Sequence, residues 1–136
     1  MTIRDIMTTD LVTVTPDETL MEVDALFRTY GVRHLPVEEN GHLIGILSDR
    51  DVLRSVSPFV DTPSESPRDV RTLQRVAREM MKKDPLCISP DASLSEAART
   101  LLEEGINSLP VVAEGGDLVG IITTRDILWH MSQEHA

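Results

Sequence analysis

A hydroxyl followed three positions later by a carboxylate, with an arginine just before that carboxylate, occurs twice in this chain. The two stretches are Ser48-Asp49-Arg50-Asp51 and Thr123-Thr124-Arg125-Asp126. Each follows a short apolar segment that begins with glycine, GIL at Gly45 and GII at Gly120. Two kinds of chemistry use this spacing. The structural one is helix capping: the hydroxyl accepts a free backbone N–H and the Asp complements the positive helix start. The functional one is a nucleoside grip: a carboxylate at a helix start accepts hydrogen bonds from vicinal sugar hydroxyls. Neighbouring N–H groups and Arg then suit phosphate. Capping alone accounts for Ser/Thr and Asp, but not for the paired glycines or the repeated Arg.

The duplication extends along the chain. A shift of 74 positions lays MTTDLVTVTPDETLMEV on MKKDPLCISPDASLSEA and GVRHLPV on GINSLPV. One extra residue in the second turn makes the shift 75 and aligns GILSDRDVL with GIITTRDIL. A repeat of this length is one supersecondary unit that buries little core alone.

Each copy reads locally as strand, helix, strand, strand, helix. Leu11–Val14 and its counterpart around Cys87 are β-branched or apolar runs stopped by Pro16 and Pro90, hence first strands. Thr19/Glu22 and Ser93/Glu96 have capping-box spacing and open helices, which end at Gly31 and Gly105, where a left-handed cap is needed. Strands at 34–38 and 43–48 flank a Glu-Asn-Gly turn, matched by Gly115-Gly116-Asp117 in the second copy. Short helices open at Arg50-Asp51 and Arg125-Asp126. The expected fold is mixed α+β or α/β: two βαββα repeats about a pseudo-twofold axis, forming one module. The expected divisions are 1–56 for the first repeat, 57–75 for a loop and connecting helix, and 76–136 for the second. Residues 55–67 are turn-rich and read as a mobile loop, and 68–81 read as helix.

The chain has 136 residues and a formal net charge of −10, from 23 acidic and 13 basic residues. Such a field disfavours nucleic acid and anionic membranes as partners. Six of the 13 basic residues nonetheless fall between Arg68 and Lys83. Were 68–83 a continuous helix, Arg71, Arg75, Arg78 and Lys82 would share one face, either solvated or a docking stripe. The single cysteine, Cys87, excludes an internal disulfide, and no apolar run reaches signal-peptide or membrane-span length. A cytoplasmic protein is the expectation.

The motifs DIM and EMM, VTVTPDETL and LCISPDASL, GVRHLPV and GINSLPV, and GILSDRD and GIITTRD resemble the cystathionine-β-synthase (CBS) domain in its tandem form, the Bateman module. The resemblance covers nearly the whole chain apart from 55–67 and the last residues. It implies a non-catalytic, energy-sensing regulatory module that binds adenosine-containing ligands in two clefts. The ligands implied are AMP, ADP or ATP, or else S-adenosylmethionine or NAD(H). Carried over residue by residue, one cleft would join Thr123, Arg125 and Asp126 to Thr13, Val32, Arg33, His34 and Pro36. The other would join Ser48, Arg50 and Asp51 to Cys87, Ile106, Asn107 and Pro110, supplemented by Lys82. The first offers more cationic groups to phosphate, so Asp126 is expected to serve the more highly phosphorylated nucleotide. The resemblance further implies a homodimer, with Val52, Leu53, Ile127, Leu128 and Trp129 as candidate surface, and a client protein that reads the ligand state. The alternatives are a ligand-free interaction scaffold whose Asp residues only cap helices, and an enzyme using the cleft.

Other residue types carry less. His34, His42, His130 and His135 have no metal-site spacing, and His130 and His135 read as surface residues near the C-terminus. Cys87 reads as a small apolar residue in a strand, with no base placed beside it for nucleophilic catalysis. The methionines read as core or helix filler, and Trp129 as either core or dimer contact.

Overall fold

The computed structural model describes residues 1–56, 58–60 and 62–134. Ser57 and Asp61 of the turn-rich segment, and His135, lie outside them. The chain divides into two compact units, and neither is a contiguous piece. One comprises Val12–Asn40 and Ile44–Asp84; the other comprises Met1–Leu11, Gly41–Leu43 and Pro85–Ala136.

In the first of these, Val14 pairs in parallel with Val37, taking a bond from Glu38 N–H and giving one to Pro36 O, both 3.0 Å. The expected first strand is thus reduced to a single bridge. Thr15-Pro16 stops it downstream, because Pro has no N–H to continue a ladder, and a Leu11-to-Thr9 turn bond precedes it. Helix α1 (Leu20–Tyr30) follows, with Thr19 and Glu22 forming the reciprocal capping box and Gly31 closing it at φ 64°. Strands β1 (His34–Glu39) and β2 (His42–Ser48) flank Asn40 and Gly41, at φ 55° and 82°. Left-handed φ at both central residues is what an Asn-Gly hairpin turn supplies. Helix α2 (Asp49–Ser55) packs on α1. The core consists of Val14, Leu20, Val23, Phe27, Leu35, Val37, Leu47, Val52 and Ala77.

The segment read as helix over 68–81 is broken. Helix α3 (Pro67–Arg71) runs directly into a 3₁₀ turn (Thr72–Gln74), and extended Arg75 and Val76 separate both from helix α4 (Ala77–Met80). The reason is a trade of backbone partners with the start of α1. Leu20 N–H bonds Arg75 O at 2.7 Å, Ala77 N–H bonds Glu18 O at 2.8 Å, and Arg78 N–H bonds Pro16 O at 2.9 Å. Lys82 and Lys83 then form β3, antiparallel to Ile46 and Gly45. Arg71, Arg75, Arg78 and Lys82 therefore share no helical face. Arg75 and Arg78 are paired instead with Glu79 and Glu39.

The other unit repeats the plan. Ile88 pairs in parallel with Val111, and helix α5 (Leu94–Glu104) runs from Ser93 to Gly105 at φ 65°. Ser93 Oγ accepts the Glu96 N–H at 3.1 Å, so the Ser half of the capping box is made. Strands β4 (Ser108–Val112) and β5 (Leu118–Thr123) pair antiparallel, and helix α6 (Thr124–Glu134) follows. Its core is Ile3, Ala97, Leu101, Leu109, Val111, Ile122 and Ile127.

The membership of Ile3 shows where the lead-in segments go. Residues 1–11 open the first repeat in sequence but pack in the unit of the second repeat. Ile3 N–H bonds Ala92 O and Arg4 N–H bonds Pro90 O, each 2.9 Å, and Arg4 pairs with Asp91 at 3.1 Å. Thr8 bridges Ile121 on β5. The lead-in of the second repeat, Ala77–Lys83, makes the matching contacts with Glu18, Pro16 and β2 in the other unit.

Candidate functional site

The two hydroxyl–carboxylate phrases fold identically. Ser48 N–H donates to Asp51 Oδ2 at 2.9 Å, and Asp51 N–H donates to Ser48 Oγ at 3.1 Å. Thr123 N–H donates to Asp126 Oδ2 at 2.9 Å, and Asp126 N–H donates to Thr123 Oγ1 at 3.1 Å. Capping is therefore real at both places. Each box nevertheless uses one carboxylate oxygen. Among the described residues, Oδ1 of Asp51 and of Asp126 accepts no hydrogen bond, and both residues are half-buried. A fixed, charged acceptor with one oxygen uncommitted can take hydrogen bonds from hydroxyl donors.

The glycines have a packing cause instead. A Cβ on Gly120 would lie 2.7 Å from Met7 Sδ and 3.0 Å from Thr8 O; one on Gly45 would collide with Met81 Sδ and stand 2.8 Å from its Cγ. The paired glycines thus seat the methionines of DIM and EMM rather than a ligand. The repeat places methionine at 7 and 81 and glycine at 45 and 120, but only the fold shows which methionine meets which glycine.

Each helix start is also tied to the loop before its own hairpin. Asp49 N–H donates to Arg33 O at 3.0 Å, and Thr124 N–H donates to Asn107 O at 2.9 Å. Arg33, Arg50, Arg125 and Asn107 are exposed, while Val32, His34 and Ile106 are half-buried and Pro36 and Pro110 are buried. Burial holds the His34 imidazole below its ordinary pKa of 6.5, opposed by the charges of Asp49 and Asp51 and aided by Arg33 and Arg50. One unit thus brings Ser48, Asp49, Arg50 and Asp51 near Arg33 and His34, with exposed Lys82 on β3; the other brings Thr123, Arg125 and Asp126 near Asn107. The two starts differ in charge. Asp49 adds a second carboxylate beside Asp51, where neutral Thr124 stands beside Asp126.

Thr13 donates its hydroxyl to Glu38 Oε1 at 3.0 Å. Its counterpart Cys87 is an exposed free thiol outside the strands, not a packed strand residue. Pairing with β4 is confined to Ile88, which leaves residue 87 uncovered. His130 is half-buried rather than on the surface. Trp129 is exposed, as are Leu53 and Leu128, whereas Val52 and Ile127 belong to their own units' cores and offer no surface. No group of His, Cys, Asp or Glu fit for a metal ion occurs among the described residues. No described helix is long and apolar enough to cross a membrane.

Comparisons with known proteins agree with this architecture. A family model described as CBS domain matches residues 3–58 and 77–133. The CBS domain-containing protein YhcV of Bacillus subtilis is 33% identical over 98% of this chain and 89% of its own length. Inosine-5'-monophosphate dehydrogenase of Korarchaeum cryptofilum is 32% identical over 93% of this chain but only 24% of its own length. The chain spans 24%, 57% and 42% of three curated relatives that it matches well. The crystal structure of CBSX2 in complex with AMP is similar with a TM-score of 0.83 and 30% identity, covering 99% of this chain and 98% of that one. The chain belongs to the CBS domain family and carries two copies of the domain in tandem.

Proposed function

We propose that the protein is a non-catalytic regulatory module that binds an adenine nucleotide or a related adenosyl ligand and passes the ligand state to a partner. The observation that carries this reading is the uncommitted Oδ1 of Asp51 and of Asp126. Each is aimed and fixed by a capping box that needs only Oδ2. Vicinal ribose hydroxyls are the donors such an oxygen suits. The AMP complex of the similar CBSX2 supports the adenosyl class. AMP, ADP and ATP are the first candidates, with S-adenosylmethionine and NAD(H) behind them.

Both carboxylates serve as ribose grips in this proposal. Around them the family resemblance assigns Thr13, Val32, Arg33, His34, Pro36, Thr123 and Arg125 to the ligand held by Asp126. To the ligand held by Asp51 it assigns Ser48, Arg50, Lys82, Cys87, Ile106, Asn107 and Pro110. The extra carboxylate of Asp49 weakens phosphate binding beside Asp51, so the Asp126 grip takes the more highly phosphorylated nucleotide. Binding shifts the population between conformations that a client protein distinguishes. The working form is a cytoplasmic homodimer, with Leu53, Leu128 and Trp129 as its apolar contacts.

Mass spectrometry of small molecules released from the purified protein, followed by thermal-shift titration, tests the reading. Recovery of an adenosyl compound and a concentration-dependent rise in melting temperature are expected. No shift with AMP, ATP, S-adenosylmethionine or NADH would replace the sensor with an interaction scaffold.

A further inference from the structure

The lead-in segments are docked peptides. Residues 1–11 are followed in sequence by Val12, which belongs to the other unit. They are nevertheless held there by main-chain bonds, by the buried Ile3 and by Met7 seated over Gly120. Thr8 exchanges both backbone bonds with Ile121, at 2.9 and 3.0 Å, two residues before Thr123 opens the Asp126 capping box. Strand β5 therefore carries the lead-in on its edge and the carboxylate grip at its end. In the other unit β2 does the same: Ile46 pairs with Lys82, two residues before Ser48 opens the Asp51 box, and Met81 is seated over Gly45.

We propose that the two lead-ins are the readout elements of the module, and that each reports chiefly the grip at the end of its own strand. Residues 1–11 report the state of Asp126, and residues 77–83 report the state of Asp51. This rests on the reading that these carboxylates hold ligand. The coupling is mechanical: a ligand that immobilises the end of β5 lowers the freedom of its edge, and a firmly seated lead-in does the same for the grip. Such coupling is reciprocal by thermodynamic necessity. The chain beside a lead-in thereby feels first the grip at the end of its own strand.

Hydrogen exchange followed by mass spectrometry separates this from its failure. In the ligand-free protein, Met7→Ala should speed exchange in the 118–126 region several-fold and leave 44–52 unchanged, while Met81→Ala does the converse. Met7→Val and Met81→Val, which shorten the seated side chain while keeping part of its packing, serve if the alanine variants unfold. Acceleration in both regions, or in neither, overturns the coupling whether or not a nucleotide binds. With AMP, calorimetry first establishes binding, and its absence sinks the nucleotide reading while leaving the ligand-free comparison to decide the coupling. Given binding, protection of residues 1–11 should survive Asp51→Asn and vanish in Asp126→Asn; equal protection in both variants overturns the proposal.

Discussion

Met7 occupies the space that a side chain at position 120 would need, with its sulfur 2.7 Å from where a Gly120 Cβ would stand. This contact joins the first motif of the chain to one of its last strands, and explains a glycine that capping could not. Gly120→Ala should lower stability by about 1–3 kcal/mol, the ordinary cost of forcing an extra carbon into a packed site. Urea denaturation checks it. Met7→Ala in the Gly120→Ala background should recover part of the loss, because it removes the colliding group.

Capping and ligand binding can be separated at the carboxylates. Asp51→Ala or Asp126→Ala removes the acceptor for the Ser48 or Thr123 N–H and should cost about 0.5–2 kcal/mol of stability. Asp→Asn keeps a carbonyl oxygen for that bond, so its stability cost should be smaller. A melting-temperature series on the four variants measures the difference.

His34 gives the protein a pH dependence of known sign. Burial lowers its folded pKa below 6.5, so the unfolded chain binds more protons between the two values. The stabilisation is whole above about pH 6.5 and is lost as pH falls through the folded pKa. Chemical denaturation from pH 7.5 down to 5 should show a decline that His34→Asn diminishes. Asp49 and Asp51 act against the shift, so Asp49→Asn should steepen the decline.

The exposed Leu128 and Trp129 should lie in the dimer contact. Trp129→Glu should convert a dimer to a monomer in analytical ultracentrifugation, with the thermal transition of the monomer retained. Val52→Ala and Ile127→Ala should instead lower stability, since both side chains sit in cores.

What the sequence made legible was local. The Thr19–Glu22 box, the left-handed Gly31 and Gly105 and the Asn-Gly turn each follow from the chemistry of a few neighbouring residues, and all appear where expected. The Ser48–Asp51 and Thr123–Asp126 phrases were also recognisable as capped helix starts. What escaped was non-local. Residues 68–81 have good helical composition, yet Arg75 gives its carbonyl to Leu20 and Ala77 its N–H to Glu18, which no window of sequence reveals. The same holds for Val14 and Ile88, whose strands shrink to single bridges. It holds most for the lead-ins, where Met7 and Met81 repeat in register with their own halves but dock on the other copy's strand.

Isothermal titration calorimetry of AMP and ATP against the native protein, Asp51→Asn and Asp126→Asn tests the central proposition most directly. Losing a charged acceptor from a bound ribose should weaken the affected site tenfold or more, given about 1.5–3 kcal/mol for a hydrogen bond to a charged group. Saturable binding to the native protein is expected, with ATP affinity reduced chiefly by Asp126→Asn. Nucleotide affinities unchanged in both variants would contradict it.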